Sequence, residues 1–198
     1  MFPMPMISAI LLLSLTLNSV GQQVQQPESS VVGVKAHVVK QKYCRGDADA
    51  FTISFDVEMV IENSSEKPVY LLWPLVPWVG KVASSISDAE AGKFLYEQSA
   101  SHYPQEQIHF ERLKLEPGKK VSKRGEYYLI ARHDPAFSLA KSVSAGSYGL
   151  ILVLRPEEEP PTQLQGPDTL QSITTEPFLV RVPSHPKLAI CREEGKAR

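Results

Sequence analysis

The strongest pattern in the chain is an alternation. In "FTISFDVEMVIE" (51–62), Phe51, Ile53, Phe55, Val57, Met59 and Ile61 are apolar, and Thr52, Ser54, Asp56 and Glu58 lie between them. Val60 is the one break. A period of two buries one set of side chains and leaves the other in water, so the segment predicts a strand of an antiparallel sheet. The valine-rich stretch 31–40 predicts the strand before it, and 69–75 the strand after it. Ile108 and Phe110 share one phase while Leu113 and Leu115 share the other, which predicts a strand bulged near Glu111 and Arg112. "LEPGKK" (115–120) is a Pro-Gly turn feeding the strand "EYYLIAR" (126–132). "YGLILVL" (148–154) is apolar on both faces and predicts a central strand. Phe178, Val180 and Val182 alternate in a last strand, which brings the expected number to about seven.

One helix interrupts the strands. In "SDAEAGKFLYEQ" (87–98), Ser87 is the expected N-cap, and Glu90 three residues later completes a capping box. Ile86 before the cap and Ala91 fit a hydrophobic staple. Segment 156–176, rich in Pro, Glu, Gln and Thr, reads as a long exposed loop. No strand–helix–strand repeat is present, and the elements together predict an all-β sandwich.

"AGSYGLILVL" (145–154) resembles the penultimate strand of immunoglobulin-like and fibronectin type III domains. Tyr148 follows a Gly-containing corner, where those domains carry a tyrosine corner. The resemblance implies an immunoglobulin/fibronectin-like antiparallel β-sandwich of about seven strands with one short inserted helix. The Cys–Trp–Cys set of antibody domains is not matched, and Leu150 stands where the second cysteine would be.

The N-terminal pattern concerns compartment. Residues 1–21 carry no charge, and 7–17 form an almost unbroken apolar run. About 11 residues suits the core of a signal peptide and is too short to span a bilayer, which takes roughly 20. Ser19 and Gly21 are small residues suited to a cleavage site. The expected organisation is a signal peptide at 1–21, a polar leader at 22–30, the β-sandwich domain at 31–191 and a tail at 192–198. The mature chain is then exported, to a periplasm or outside the cell, with no integral membrane segment. In an oxidising compartment the chain's two cysteines, Cys44 and Cys191, are expected to pair. The sandwich resemblance adds that first and last strands run as parallel neighbours, which would bring both cysteines to one end. The net charge of −1 argues against nucleic acid or an anionic membrane as the main partner.

Candidate chemistry is sparse. "AGSYG" (145–149) fits a variant of the nucleophile elbow, with Ser147 followed by Asp168 and His185 in hydrolase order. An elbow needs a strand-to-helix turn, and the apolar run up to Pro156 predicts a strand instead. The five histidines, His37, His102, His109, His133 and His185, form neither a His-x-His nor an HExxH pair. His37 and His109 could meet across strands, which the sequence leaves open. Beyond residue 21 the only methionine is Met59, in a core phase, which disfavours thioether copper ligation. No metal, no cofactor and no catalytic residue is expected. Asn63 begins the sequon Asn-Ser-Ser and is either a turn residue or a glycan acceptor. "GKKVSKR" (118–124) reads as a solvated, lysine-guarded edge and "RPEEEPP" (155–161) as a solvated loop.

"LLWPLVPWVG" (71–80) holds both tryptophans of the chain. Pro74 and Pro77 are unsuited to a central strand, so the strand should end near Trp73, with Trp73 capping the core. Trp78 lies beyond, with Val76, Val79 and Lys81, as the candidate binding surface together with Trp73. The expected function is a non-catalytic binding or accessory role towards a protein or glycan, through the 73–82 loop and the helix-bearing insertion at 84–106. The alternatives are an exported protease inhibitor that offers 156–176, and a serine hydrolase that uses Ser147.

Overall fold

The alternating segment forms a strand of 14 residues in the computed structural model, which describes residues 31–46, 50–99, 109–132, 142–156 and 158–190. This strand, β2 (Ala50–Asn63), lies between β1 (Val32–Arg45) and β7 (Lys120–Arg132) in an antiparallel sheet of order β1-β2-β7. A second sheet has the order β10-β8-β4-β5, built from β4 (Val76–Ala83), β5 (Tyr96–Ser99), β8 (Gly146–Arg155) and β10 (Ile173–Thr174). Strand β11 (Phe178–Val182) also pairs with β8. A small third sheet joins β3 (Val69–Trp73), β6 (Glu111–Leu115) and β9 (Thr169–Leu170), and its β3–β9 pair is parallel. The fold is mostly β and sandwich-like, as the alternation predicts, with one short helix, α1 (Ile86–Glu90).

Period-two patterning explains the core. Phe51, Ile53, Phe55, Val57, Met59 and Ile61 face inward from β2, all at most 1% exposed. They share one hydrophobic cluster with Tyr127, Leu129 and Ala131 of β7, Leu150, Leu152 and Leu154 of β8, and Phe178, Val180 and Val182 of β11. Burying each large apolar side chain contributes about 1.5–3 kcal/mol. β8 is central, as its two apolar faces predict: Leu150, Leu152 and Leu154 point to the core while Ile151 and Val153 are half-buried on the outer face.

Both long edges of the sandwich are tied. On one side Gln98 of β5 donates its amide to the Tyr128 carbonyl at 2.7 Å and accepts from the Ile130 N–H at 3.3 Å. On the other, the Glu176 N–H meets the Val34 carbonyl at 2.7 Å, and the Gln41 amide meets the Arg181 carbonyl at 3.1 Å. Cys44 then bridges in parallel to Ala189. These contacts ascend in the same order along both segments, so 176–189 runs alongside β1 in the same direction.

Several expectations are corrected. The described residues hold eleven strands rather than about seven. The helix is shorter and starts earlier: Ser85, not Ser87, is the N-cap, and its side chain accepts from the Asp88 N–H at 3.0 Å. Asp88 replaces Glu90 as the acidic partner and accepts from the hydroxyls of Ser84 and Ser85. Gly92, at φ 71°, turns the chain out of the helix, and 96–98 pairs with β4 instead. Sheet pairing therefore overrides a helical pattern over these residues. The 156–176 segment is not a free loop. Its β9 and β10 pair with β3 and β8, and Ile173 (6% exposed) packs into the core. Strand β6 begins at Glu111 and pairs with β3 without a register shift, so no bulge forms there. Tyr148 donates its hydroxyl to the Ser144 carbonyl at 3.0 Å, a bond back across the corner before β8. The third sheet and its parallel pair are not part of the immunoglobulin resemblance.

Candidate functional site

The run "LLWPLVPWVG" is the crossing between two sheets. β3 ends at Trp73, Leu75 is buried at 3% exposure, and β4 begins at Val76. Trp73 and Trp78 then diverge. The Trp73 ring is half-buried and carries the Lys123 ammonium 4.5 Å from its centroid. Lys123 also lies 4.0 Å from Glu111, which opposes Trp73 in the β3–β6 register. An indole held in this way caps the end of the sandwich.

Trp78 is placed by a β-bulge. The β4–β8 register passes from Pro77 opposite Leu154 to Val79 opposite Val153, and Trp78 is the extra residue of the bulge. A bulge re-aims a side chain, and Trp78 is 39% exposed. The same bulge accommodates Pro77 inside a strand that has neighbours on both sides. Among the described residues β5 pairs with Val79 through Val82. Beyond the bulge, Val79 and Lys81 share the outer face with their partners Val153 and Ile151. Lys81 is held by Glu97 at 2.8 Å and lies 5.4 Å from the centre of the Phe94 ring. Val76 opposes Arg155 and is half-buried. The structure thus brings Trp78, Val76, Val79 and Lys81 together along β4, and assigns Trp73 to packing.

In the segment 118–124 two of the four cations are engaged and Lys119 and Arg124 are exposed. Lys120 pairs with Glu62 at 2.9 Å, Lys123 folds over Trp73, and Ser122 donates to Glu58 at 2.9 Å. The outer face of the β1-β2-β7 sheet continues as a charge ladder, with His37 3.2 Å from Glu58 and Lys42 3.9 Å from Glu126. His37 therefore faces a carboxylate, while His109 leads into β6 of the third sheet. Among the described residues, no three His, Cys, Asp or Glu side chains group to hold a metal.

Ser147 lies inside β8, opposite Arg181, and the strand continues to Arg155. No helix follows it, so the turn that exposes an elbow serine is not formed. Asp168 lies beside the third sheet, where its carbonyl accepts from the Tyr70 N–H at 3.1 Å, and His185 is exposed near the end of the described chain. An open cleft of about 780 Å³ runs between the start of β1 and the β9–β10 segment, over Val32, Val34, Leu170, Ile173 and Glu176. Its lining includes neither histidine nor cysteine.

Asn63 is fully buried. Its amide nitrogen donates to the carbonyls of Lys67 at 2.8 Å and Leu115 at 2.9 Å, and its oxygen accepts from the Ser65 N–H and hydroxyl. Both amide hydrogens are thus committed to backbone carbonyls, and none remains for a glycan. Cys44 lies in β1, where the flanking Arg45 N–H and Tyr43 carbonyl bond to Ala189 at 3.0 and 2.9 Å. The described residues include no free cysteine. Cys191, His102, His133, the 1–30 region and the 192–198 tail lie outside the described residues.

Periodicity carries no signal for two further features. Arg112 stacks on Tyr70 at 3.7 Å and donates to the Thr169 hydroxyl at 3.1 Å, closing that aromatic face. Tyr127 is buried and Tyr96 half-buried, and burial pushes both phenols above the ordinary tyrosine range. No described helix is long and apolar enough to cross a membrane. No family model, curated protein or solved structure matches the chain.

Proposed function

We propose that this chain is an exported, non-catalytic β-sandwich protein that binds a protein or glycan through β4. One observation carries the reading. Of the two tryptophans, one is stacked under a lysine and the other is lifted by a bulge to 39% exposure. Tryptophan is enriched among the residues that dominate binding energies, and a bulge is a device for re-aiming a side chain. Val76, Val79 and the half-buried Ile151 and Val153 supply apolar area around Trp78, and the Lys81–Glu97 pair supplies a polar rim. Export rests on the 1–21 pattern, and the proposed Cys44–Cys191 bridge fits an oxidising compartment.

The test is tryptophan fluorescence of the mature protein with acrylamide, using Trp73→Phe and Trp78→Phe to separate the two signals. Trp78 should emit to the red and quench freely, and Trp73 should be protected. Capture of a partner by the wild-type protein and its loss in Trp78→Ser would support the surface. A blue-shifted, protected Trp78 would remove it.

A further inference from the structure

Among the charged side chains of the β1-β2-β7 sheet, Arg132 stands apart. Three other cations on that outer face are paired: Lys120 with Glu62, His37 with Glu58, Lys42 with Glu126. Arg132, the last residue of β7, is only 7% exposed. Its Nε and Nη1 are buried without a hydrogen-bond partner, and it forms no ion pair among the described residues. Its backbone is fixed, since β2 places Ala50 opposite it and its N–H donates to the Val143 carbonyl at 3.0 Å.

The register explains why nothing on the sheet satisfies it. Ala131 points to the core, so Arg132 points to the outer face. Ala50 opposite it has no polar atom beyond the backbone, and the next row holds Ile130, Thr52 and Cys44. Glu126, the nearest carboxylate on the ladder, is six residues back along β7, on the order of 20 Å at about 3.4 Å per residue. An arginine does not lose its proton in a protein, so burial leaves a full charge that needs an oxyanion. Each of the two edges by which a guanidinium grips an oxyanion contains one of the orphaned donors, Nε or Nη1. Among the described residues neither of these rows carries a second cation, which leaves one positive charge there. A carboxylate balances it, whereas a phosphate monoester brings about −1.5 to −2.

We propose that Arg132 anchors a carboxylate-binding site at this end of the sandwich, separate from the Trp78 surface. Its ligand is a carboxylate brought by another molecule, such as an acidic side chain or a small organic acid.

The test is a titration of the isotope-labelled full chain with sodium acetate, read at the Arg132 Nε–Hε resonance. That resonance is assigned by through-bond correlation, so no variant is needed to find it. Sodium chloride and sodium phosphate at matched ionic strength are the controls. Acetate should shift the resonance saturably, chloride should not, and phosphate should act more weakly. Arg132→Gln should weaken acetate binding roughly 10-fold or more, as followed at neighbouring amides. If that variant does not fold, the wild-type titration still decides. An unsaturable response, or an equal response to all three salts, overturns the proposal. So does a resonance insensitive to acetate until Asp47→Asn or Asp49→Asn is introduced, because the carboxylate would then come from the chain itself.

Discussion

Tyr127 packs directly against Gly80. A Cβ built on Gly80 would overlap the phenol ring, whose hydroxyl donates to the Gln98 carbonyl at 3.1 Å. The contact joins β7 of one sheet to β4 of the other, with Gln98 of the neighbouring β5 as the anchor. Gly80→Ala should therefore destabilise the fold by about 1–3 kcal/mol, the usual cost of overpacking. Tyr127→Phe removes the atom nearest the intruding methyl. The double variant should be more stable than the sum of the two single effects, and denaturant unfolding of all four proteins measures that coupling.

The same tyrosines set an alkaline limit. Burial raises the Tyr127 and Tyr96 phenols above the ordinary range, and the Tyr96 hydroxyl is buried without a partner. In the unfolded chain both ionise near pH 10. Below that pH both states hold the proton, and the pair adds no pH dependence. Above it the unfolded chain binds fewer protons than the folded one, so stability falls as pH rises. Melting temperature should decline above about pH 10. In spectrophotometric titration of the native protein, two of the seven tyrosines should ionise only on unfolding. Reversible ionisation of all seven near pH 10 in the folded state would contradict this.

Asn63 is a structural residue. It closes the turn after β2 and reaches the end of β6 through four hydrogen bonds. Asn63→Ala leaves the Leu115 and Lys67 carbonyls without that donor and should cost about 2–4 kcal/mol. Asn63→Asp should fare no better, because a carboxylate cannot donate to either carbonyl. Protein secreted from eukaryotic cells should carry no glycan mass at Asn63. A homogeneous glycoform there would contradict the buried amide.

Cys44 and Cys191 are proposed to form one disulfide that closes most of the domain. The oxidised protein should show no thiol to a maleimide reagent under denaturing conditions, and two after reduction. Reduction should lower stability by up to about 5 kcal/mol, the chain-entropy figure for so long a loop. Two reactive thiols before reduction would rule the bridge out.

Much of this fold is legible in the order of residues, and the reason is local. Alternation in 51–62 identifies β2 and its buried face, because side-chain direction in a strand depends only on parity. The two apolar faces of 148–154 identify a central strand for the same reason, and Pro74 marks the end of β3 after Trp73. What the sequence leaves undecided depends on neighbours far along the chain. The stretch 87–98 has a helical rhythm, yet Gly92 turns the chain and 96–98 lies on the edge of β4, where sheet hydrogen bonds outweigh propensity. Segment 156–176 is polar in composition, but Leu170 and Ile173 lie where two sheets have room for them. Trp73 and Trp78 share one short motif and part because Lys123, fifty residues from Trp73, covers one while a bulge against β8 lifts the other. Arg132 ends an ordinary-looking strand, and only the β2 register sets Ala50 rather than an acid opposite it. Patterning determines which face of a strand is buried. Only tertiary pairing decides what stands opposite each side chain, and on that rest the candidate sites of this protein.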